Sequence, residues 1–188
     1  MTKQGEFLTG CWPSRIRQCR ADQRGVAAVE FALILPFLLL LYLGSVELTQ
    51  GIMVDRQVAL TADTVTNIVA QYTTISASHQ LPDILNASAQ IFSPNPASAA
   101  TVVVSLIAVD GSGKATVSWS QALNGSALTQ GQTITIPSNL DIPNTTLVYG
   151  QATYAYTPWF DFIGIGTLNL SSSVYMSPRA SSTINLVS

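Results

Sequence analysis

One carboxylate in this sequence stands where an acidic group is costly. Glu30 lies inside Val26-Ala-Ala-Val-Glu-Phe-Ala-Leu-Ile-Leu-Pro-Phe-Leu-Leu-Leu-Leu-Tyr-Leu-Gly-Ser-Val46, and it is the only charge in that run. Acidic residues at the middle of a lipid-spanning helix cost roughly 2.5–3.5 kcal/mol, and less toward the ends. Glu30 is one helical turn from Val26, so it needs a partner near the start of the run. Directly upstream is Arg24-Gly25. A cut after Gly25 would leave Val26 with a free α-amine and make Glu30 the fifth residue of the shortened chain. In a parallel assembly of such helices, the carboxylate of one subunit meets the amine of its neighbour. The pair offsets both burial costs and fixes axial register, the best attested use of a buried ion pair.

No second constellation of reactive side chains emerges. Asp110-Gly-Ser-Gly-Lys114 ends like a phosphate loop but lacks the full spacing and precedes a strand pattern, so it reads as a turn. Leu8-Thr-Gly-Cys11 imitates a lipoprotein cleavage box, yet nothing apolar precedes Cys11. Cys11 and Cys19 have no zinc-site spacing and no nearby histidine. His79, the only histidine, has no acid–base partner in sequence, and Asp83, Asp110, Asp141 and Asp161 are scattered among turns. No nucleophile elbow of the Gly-x-Ser-x-Gly type exists. Asn86, Asn124, Asn144 and Asn169 begin Asn-x-Ser/Thr triplets, which arise easily in a chain rich in Ser and Thr. The reading is therefore non-enzymatic, with no catalytic residue, cofactor, metal or small-molecule substrate. Tyr149, Tyr154, Tyr156, Trp159, Phe160 and Phe162 crowd one region, with Tyr154 and Tyr156 on one strand face. Core packing is their first reading and a contact surface for another subunit the second.

The elements that carry these residues follow from composition and period. The 188 residues allow one domain and an appendage. Hydrophobic residues make up 47% and charged residues 10%, which excludes a disordered chain. With eight Lys and Arg in all and a net charge of −2, no basic face for nucleic acid can be built. Lys3, Arg15, Arg17, Arg20 and Arg24 cluster before Gly25, whereas Arg56, Lys114 and Arg179 are the only basic residues after it. A helix over Val26–Val46 spans roughly 30 Å, the thickness of a hydrocarbon core. A buried core helix is the weaker reading, because a helix apolar on every side rarely suits so small a domain. A cleaved secretory signal is also weaker: the run is longer than a typical apolar signal core, and no small-x-small site follows it. Basic residues stay inside, so the N-terminus is expected in the cytoplasm and everything past about Glu47 outside. Cys11 and Cys19 then face a reducing compartment, where a structural disulfide is not expected.

Beyond Gly51 the pattern becomes amphipathic. Val54, Val58, Thr61, Val65, Ile68, Tyr72 and Ile75 recur at spacings of four and three, while Asp55, Arg56, Gln57, Asp63 and Asn67 fall largely elsewhere. One long helix is expected from about 26 to about 75, loosened at Gly44 and Gly51 and kinked at Pro36. Leu81-Pro82-Asp83 is read as its stop, with a short second helix over Asp83–Phe92 and a break at Ser93-Pro-Asn-Pro96. After that the period falls to two. Strands are expected at Thr101–Val109, Ala115–Ser120, Thr133–Pro137, Thr146–Tyr156 and Thr167–Met176, the first two joined as a hairpin by Asp110-Gly-Ser-Gly113. The expected class is α+β: a membrane-spanning helix that continues into an amphipathic helix packed on a meander of about five antiparallel strands. The domain reading is a basic leader over 1–25, the helix over 26–80, and an extracytoplasmic β-rich domain over 81–188.

The segment Arg24-Gly-Val-Ala-Ala-Val-Glu-Phe31 resembles the class III, type IV prepilin-like leader: basic residues, Gly before the cut, Glu at the fifth mature position, then a long apolar helix. Together with Gly44-Ser45-Val46-Glu47-Leu48 it resembles, over about residues 20–72, the TadE/TadG-like pseudopilins of the tight-adherence (Tad, Flp-type) pilus, a system of adhesion. The resemblance implies cleavage between Gly25 and Val26 by a prepilin peptidase and a recognition or register role for Glu30. It implies a single-pass protein of the bacterial inner membrane, its C-terminal domain periplasmic or extracellular. The implied partners are inner-membrane lipid, the prepilin peptidase, and other pilus subunits or assembly-platform proteins. Whether the mature chain enters the fibre, assists its assembly, or stays uncleaved as an anchored binding module is left open by the residues themselves.

Overall fold

The computed structural model describes residues 23–160, 164 and 166–188, with the side chains of Gln23 and Arg24 excepted. Residues 1–22 of the basic leader, Cys11 and Cys19 among them, and Asp161 and Phe162 lie outside the described residues. The class is α+β, as the sequence periods require. Helix α1 covers Gln23–Val69, strand β1 Thr74–Ser76, helix α2 Gln80–Ala89, and strands β2 to β6 Ala100–Val109, Ala115–Leu123, Thr145–Tyr156, Leu168–Met176 and Asn185–Val187. The chain divides between Val46 and Glu47 into two compact units.

The first unit contributes the apolar start of α1. The helix runs unbroken through Pro36. Its side chains are exposed on every side, with Phe37 at 70% and Leu41 at 72% of their full surface. By length and composition this helix can cross a membrane. In water such a surface would be a heavy liability, since exposed apolar patches of this extent mark membrane or protein contact.

The second unit is a helix-on-sheet sandwich. From Val54 onward α1 turns one stripe inward: Val54, Val58, Ala62, Val65 and Val69 are fully buried, while Asp55, Arg56 and Asp63 face out. Thr61 and Thr66 share the buried face, and each hydroxyl donates to the carbonyl one turn back, at Gln57 (2.7 Å) and Ala62 (2.5 Å). That local bond lets a polar side chain sit on an apolar stripe without an orphaned hydroxyl. Opposite lie Val102, Val104 and Leu106 of β2, Trp119 of β3 and Val148 of β4. Gly150 in β4 marks the closest approach: a Cβ there would meet Thr66 Oγ1 at 1.9 Å and the Ala62 carbonyl oxygen at 3.1 Å.

Three sequence expectations are corrected. The helix ends at Val69 rather than near 75, with Ile68 and Tyr72 only half-buried. The β-branched run Thr73-Thr74-Ile75 prefers extended backbone, and β1 pairs in parallel with the C-terminal β6, placing Thr74 opposite Asn185 and Ile75 opposite Leu186. Leu81-Pro82-Asp83 opens the second helix instead of closing the first. Pro82 sits in the first turn of α2, where its missing N–H costs nothing. Gln90–Phe92, assigned from sequence to that helix, is a 3-10 turn after it.

The sheet has four strands, not five, in the order β3-β2-β4-β5, all pairs antiparallel. It is therefore not a meander, because β4 returns beside β2. The stretch expected as a strand at Thr133–Pro137 makes a single bridge, Thr133 to Thr116. It belongs to the 124–144 connection, which lays Ile134, Ile136 and Leu140 over Ile107 and Val109 on the outer face of the sheet. This explains why β2 is apolar without alternation: it is central and covered on both faces. Ser105, its one polar buried side chain, donates to Ser120 Oγ at 2.8 Å.

Candidate functional site

Two places collect the residues that matter, one in each unit. In the first, Gly25 and Val26 lie in the opening turns of α1, with Val26 exposed and nothing within 4 Å of a Cβ added at Gly25. Glu30 follows one turn on, also exposed. Val29, Phe31, Leu33 and Ile34 around it are exposed as well. Among the described residues no side chain bonds to the Glu30 carboxylate. Among the described residues Glu30 is thus an acid on an otherwise apolar helix surface.

The second place was not picked out from sequence. Glu47 is the first residue after the apolar run, and its half-buried carboxylate gathers two donors from the far end of the chain. Tyr156 donates its hydroxyl to Glu47 Oε1 at 2.8 Å, and the Trp159 backbone N–H donates to the same oxygen at 2.8 Å. Bonds to an ionised acceptor are about twice as strong as neutral ones. Tyr156 comes from the last residue of β4, its ring lying beside Gly51 one turn along α1 from Glu47. Burial first, and then the bond to and charge of Glu47, push the Tyr156 phenol up to about 12, so it stays a donor throughout the neutral range. The bond ties the start of the β4–β5 connection to α1.

The aromatic cluster seen in the sequence therefore splits. Tyr154 and Tyr156 point from one face of β4 into the core, Tyr154 stacking on Phe92 at 4.8 Å between ring centres. Tyr149 points to the other face and packs against Tyr175 at 4.9 Å. Trp159 does neither: 87% of its surface is exposed. Nothing local in the sequence could have joined Glu47 to Tyr156 and Trp159, which are 109 and 112 positions away.

Other candidates lie at turns and element ends. Asp110 Oδ1 accepts from the N–H of Ser112 and of Lys114 and from the Ser112 hydroxyl, closing the β2–β3 turn and holding the carboxyl below its ordinary range, with the Ser112 hydroxyl the main cause. His79 precedes α2 as its cap residue without a side-chain capping bond. Asn124 adopts a left-handed backbone and donates its amide to the carbonyls of Ala97 and Ala100, bracing the end of β3. Among the described residues no group of three or more His, Cys, Asp or Glu side chains could hold a metal ion.

Against known proteins, the TadE-like protein family model matches residues 25–66, a stretch lying wholly within α1 that contains both Glu30 and Glu47. No curated protein and no solved structure matches the chain.

Proposed function

We propose that this chain is a membrane-anchored subunit of a Tad-type pilus apparatus, acting as a pseudopilin, minor pilin or assembly factor. The observation that carries the reading is the coincidence of the TadE-like match over residues 25–66 with the order Arg24-Gly25-Val26, Glu30 and then an unbroken exposed apolar helix. In this mechanism Val26–Val46 spans the bacterial inner membrane with the N-terminus in the cytoplasm. A prepilin peptidase cuts between Gly25 and Val26. The Glu30 carboxylate then pairs with the new Val26 amine of a neighbouring subunit, which sets the axial stagger of the helices. The helix-on-sheet unit from Glu47 onward stands outside the cytoplasm and presents its surface to other pilus subunits or the assembly platform.

N-terminal sequencing of the membrane form tests the proposal. A mature chain that begins at Val26 is the expected result. One that begins at Met1, or near residue 45, defeats the processing step. One observation favours a second reading, an uncleaved anchored module: α1 already begins at Gln23, so the Gly25–Val26 bond is helical and must be unwound before a peptidase can hold it extended. Gly25 lowers that cost, since glycine weakens a helix by about 1 kcal/mol relative to alanine.

A further inference from the structure

The end of the second unit that carries Glu47 has an uneven surface. Leu48 and Ile52 stand one turn apart on α1, 67% and 46% exposed. Trp159, Phe160 and Leu168, from the two ends of the β4–β5 connection, are exposed too. Trp159 is the most exposed large apolar residue of the described chain. Its backbone N–H is bonded to Glu47, the neighbour of the last apolar residue, Val46. Tryptophan favours the headgroup zone of a bilayer, where its ring is half in lipid and its N–H remains wet. A backbone N–H brought toward lipid must be satisfied from within the protein, and the Glu47 carboxylate does this for the residue at stake.

We propose that Trp159 and Phe160, which follow β4, make a second membrane contact, resting in the phospholipid headgroup layer at the residue-47 end of the span, held at that depth by the hydrogen bonds from Tyr156 and Trp159 to Glu47. The occupant is the lipid interface because the site is continuous in sequence with the segment read as spanning the bilayer, and the inference rests on that reading. Extraction of the subunit into a fibre must then remove Trp159 from lipid as well as the helix.

The full chain and Trp159→Phe are reconstituted in phosphatidylcholine vesicles brominated either on the upper acyl carbons or near the chain ends. The emission lost in Trp159→Phe belongs to Trp159, while Trp12 and Trp119 cancel in the difference. The expected difference spectrum is blue-shifted relative to water and is quenched more by the upper bromines than by the deep ones. Glu47→Ala shifts it to the red and reduces the quenching. A red, unquenched component overturns the proposal. So does a blue component insensitive to brominated lipid, which means that protein, such as a second copy of the chain, covers the ring. An alkaline wash separates the two levels: a chain retained by the vesicles whose Trp159 ignores bromine sinks this inference alone, while a chain stripped from them sinks the membrane-span reading and this inference together.

Discussion

Replacing Gly150 by alanine should destabilise the outer unit through one identifiable contact. The added Cβ would lie 1.9 Å from Thr66 Oγ1, 3.1 Å from Thr66 Cβ and 3.1 Å from the Ala62 carbonyl oxygen. The first distance is impossible, so either Thr66 rotates off its bond to Ala62 or α1 lifts from β4. Overpacking by one methyl costs typically about 1–3 kcal/mol, and the lost hydrogen bond about 0.5–1.5 kcal/mol more. Against this, alanine in place of glycine regains roughly 0.5–1 kcal/mol of chain entropy within a strand. The net is about 0.5–4 kcal/mol, or a melting temperature lower by roughly 1–16 °C in a protein of this size. Urea or heat unfolding of the detergent-solubilised chain, followed by the near-ultraviolet signal of buried Trp119, measures it. The decisive variant is the double change Gly150→Ala with Thr66→Ala. Removing Oγ1 leaves the contacts at 3.1 Å, which a shift of a few tenths of an ångström relieves. The pair should therefore be more stable than the sum of the single changes by about 1 kcal/mol or more. Additive single effects, or a Gly150→Ala protein as stable as the parent, would refute the close-approach argument.

Three further outcomes follow from named contacts. The Tyr156 phenol is raised from its ordinary value of 10.0 to about 12. Between those values an unfolded chain gives up a proton that the folded chain keeps, so stability falls as pH rises through this window and is unaffected by this group below it. Tyr156→Phe should flatten that fall in pH-resolved denaturation, and equal slopes would mean that the folded chain does not hold the Tyr156 phenol above its ordinary value. Ile184 is buried in the core cluster that holds Val65, Val69, Leu81 and Trp119, and its carbonyl accepts from Trp119 Nε1 at 2.9 Å. Ile184→Ala should cost about 2–5 kcal/mol and increase proteolysis of the β6 tail, measured by limited digestion. Glu30→Ala should leave membrane insertion intact while lowering recovery of the subunit in sheared pilus or assembly complexes. Unchanged recovery would remove the register role.

Much of the molecule was legible one residue at a time. The exposed helix, its conversion to an amphipathic stripe at Val54, the β2–β3 hairpin and the long strands all follow from hydrophobic period, which is a local property of the chain. The turn at Asp110 was equally visible, because an Asp side chain closing its own loop needs nothing from elsewhere. The suspicious position of Glu30 was legible for the same reason: a charge in an apolar run is conspicuous without any fold.

What sequence could not decide were choices between competing local preferences that distant segments settle. Ile75 continues the helical spacing of α1, yet it forms a strand because β6 arrives from the other end of the chain to pair with it. Thr133–Pro137 alternates like a strand, yet it makes one bridge, to Thr116 on the edge strand β3, and otherwise serves as a cover that packs Ile134 and Ile136 over the outer face of the sheet. Glu47 reads as the mere end of an apolar run until β4 delivers Tyr156 and the following loop delivers Trp159 to one of its oxygens. Period and composition determine which elements form and which surface each must hide. Which segment hides it, and which polar groups then meet, is fixed only when the whole chain has competed for the same few burial sites and hydrogen-bond partners.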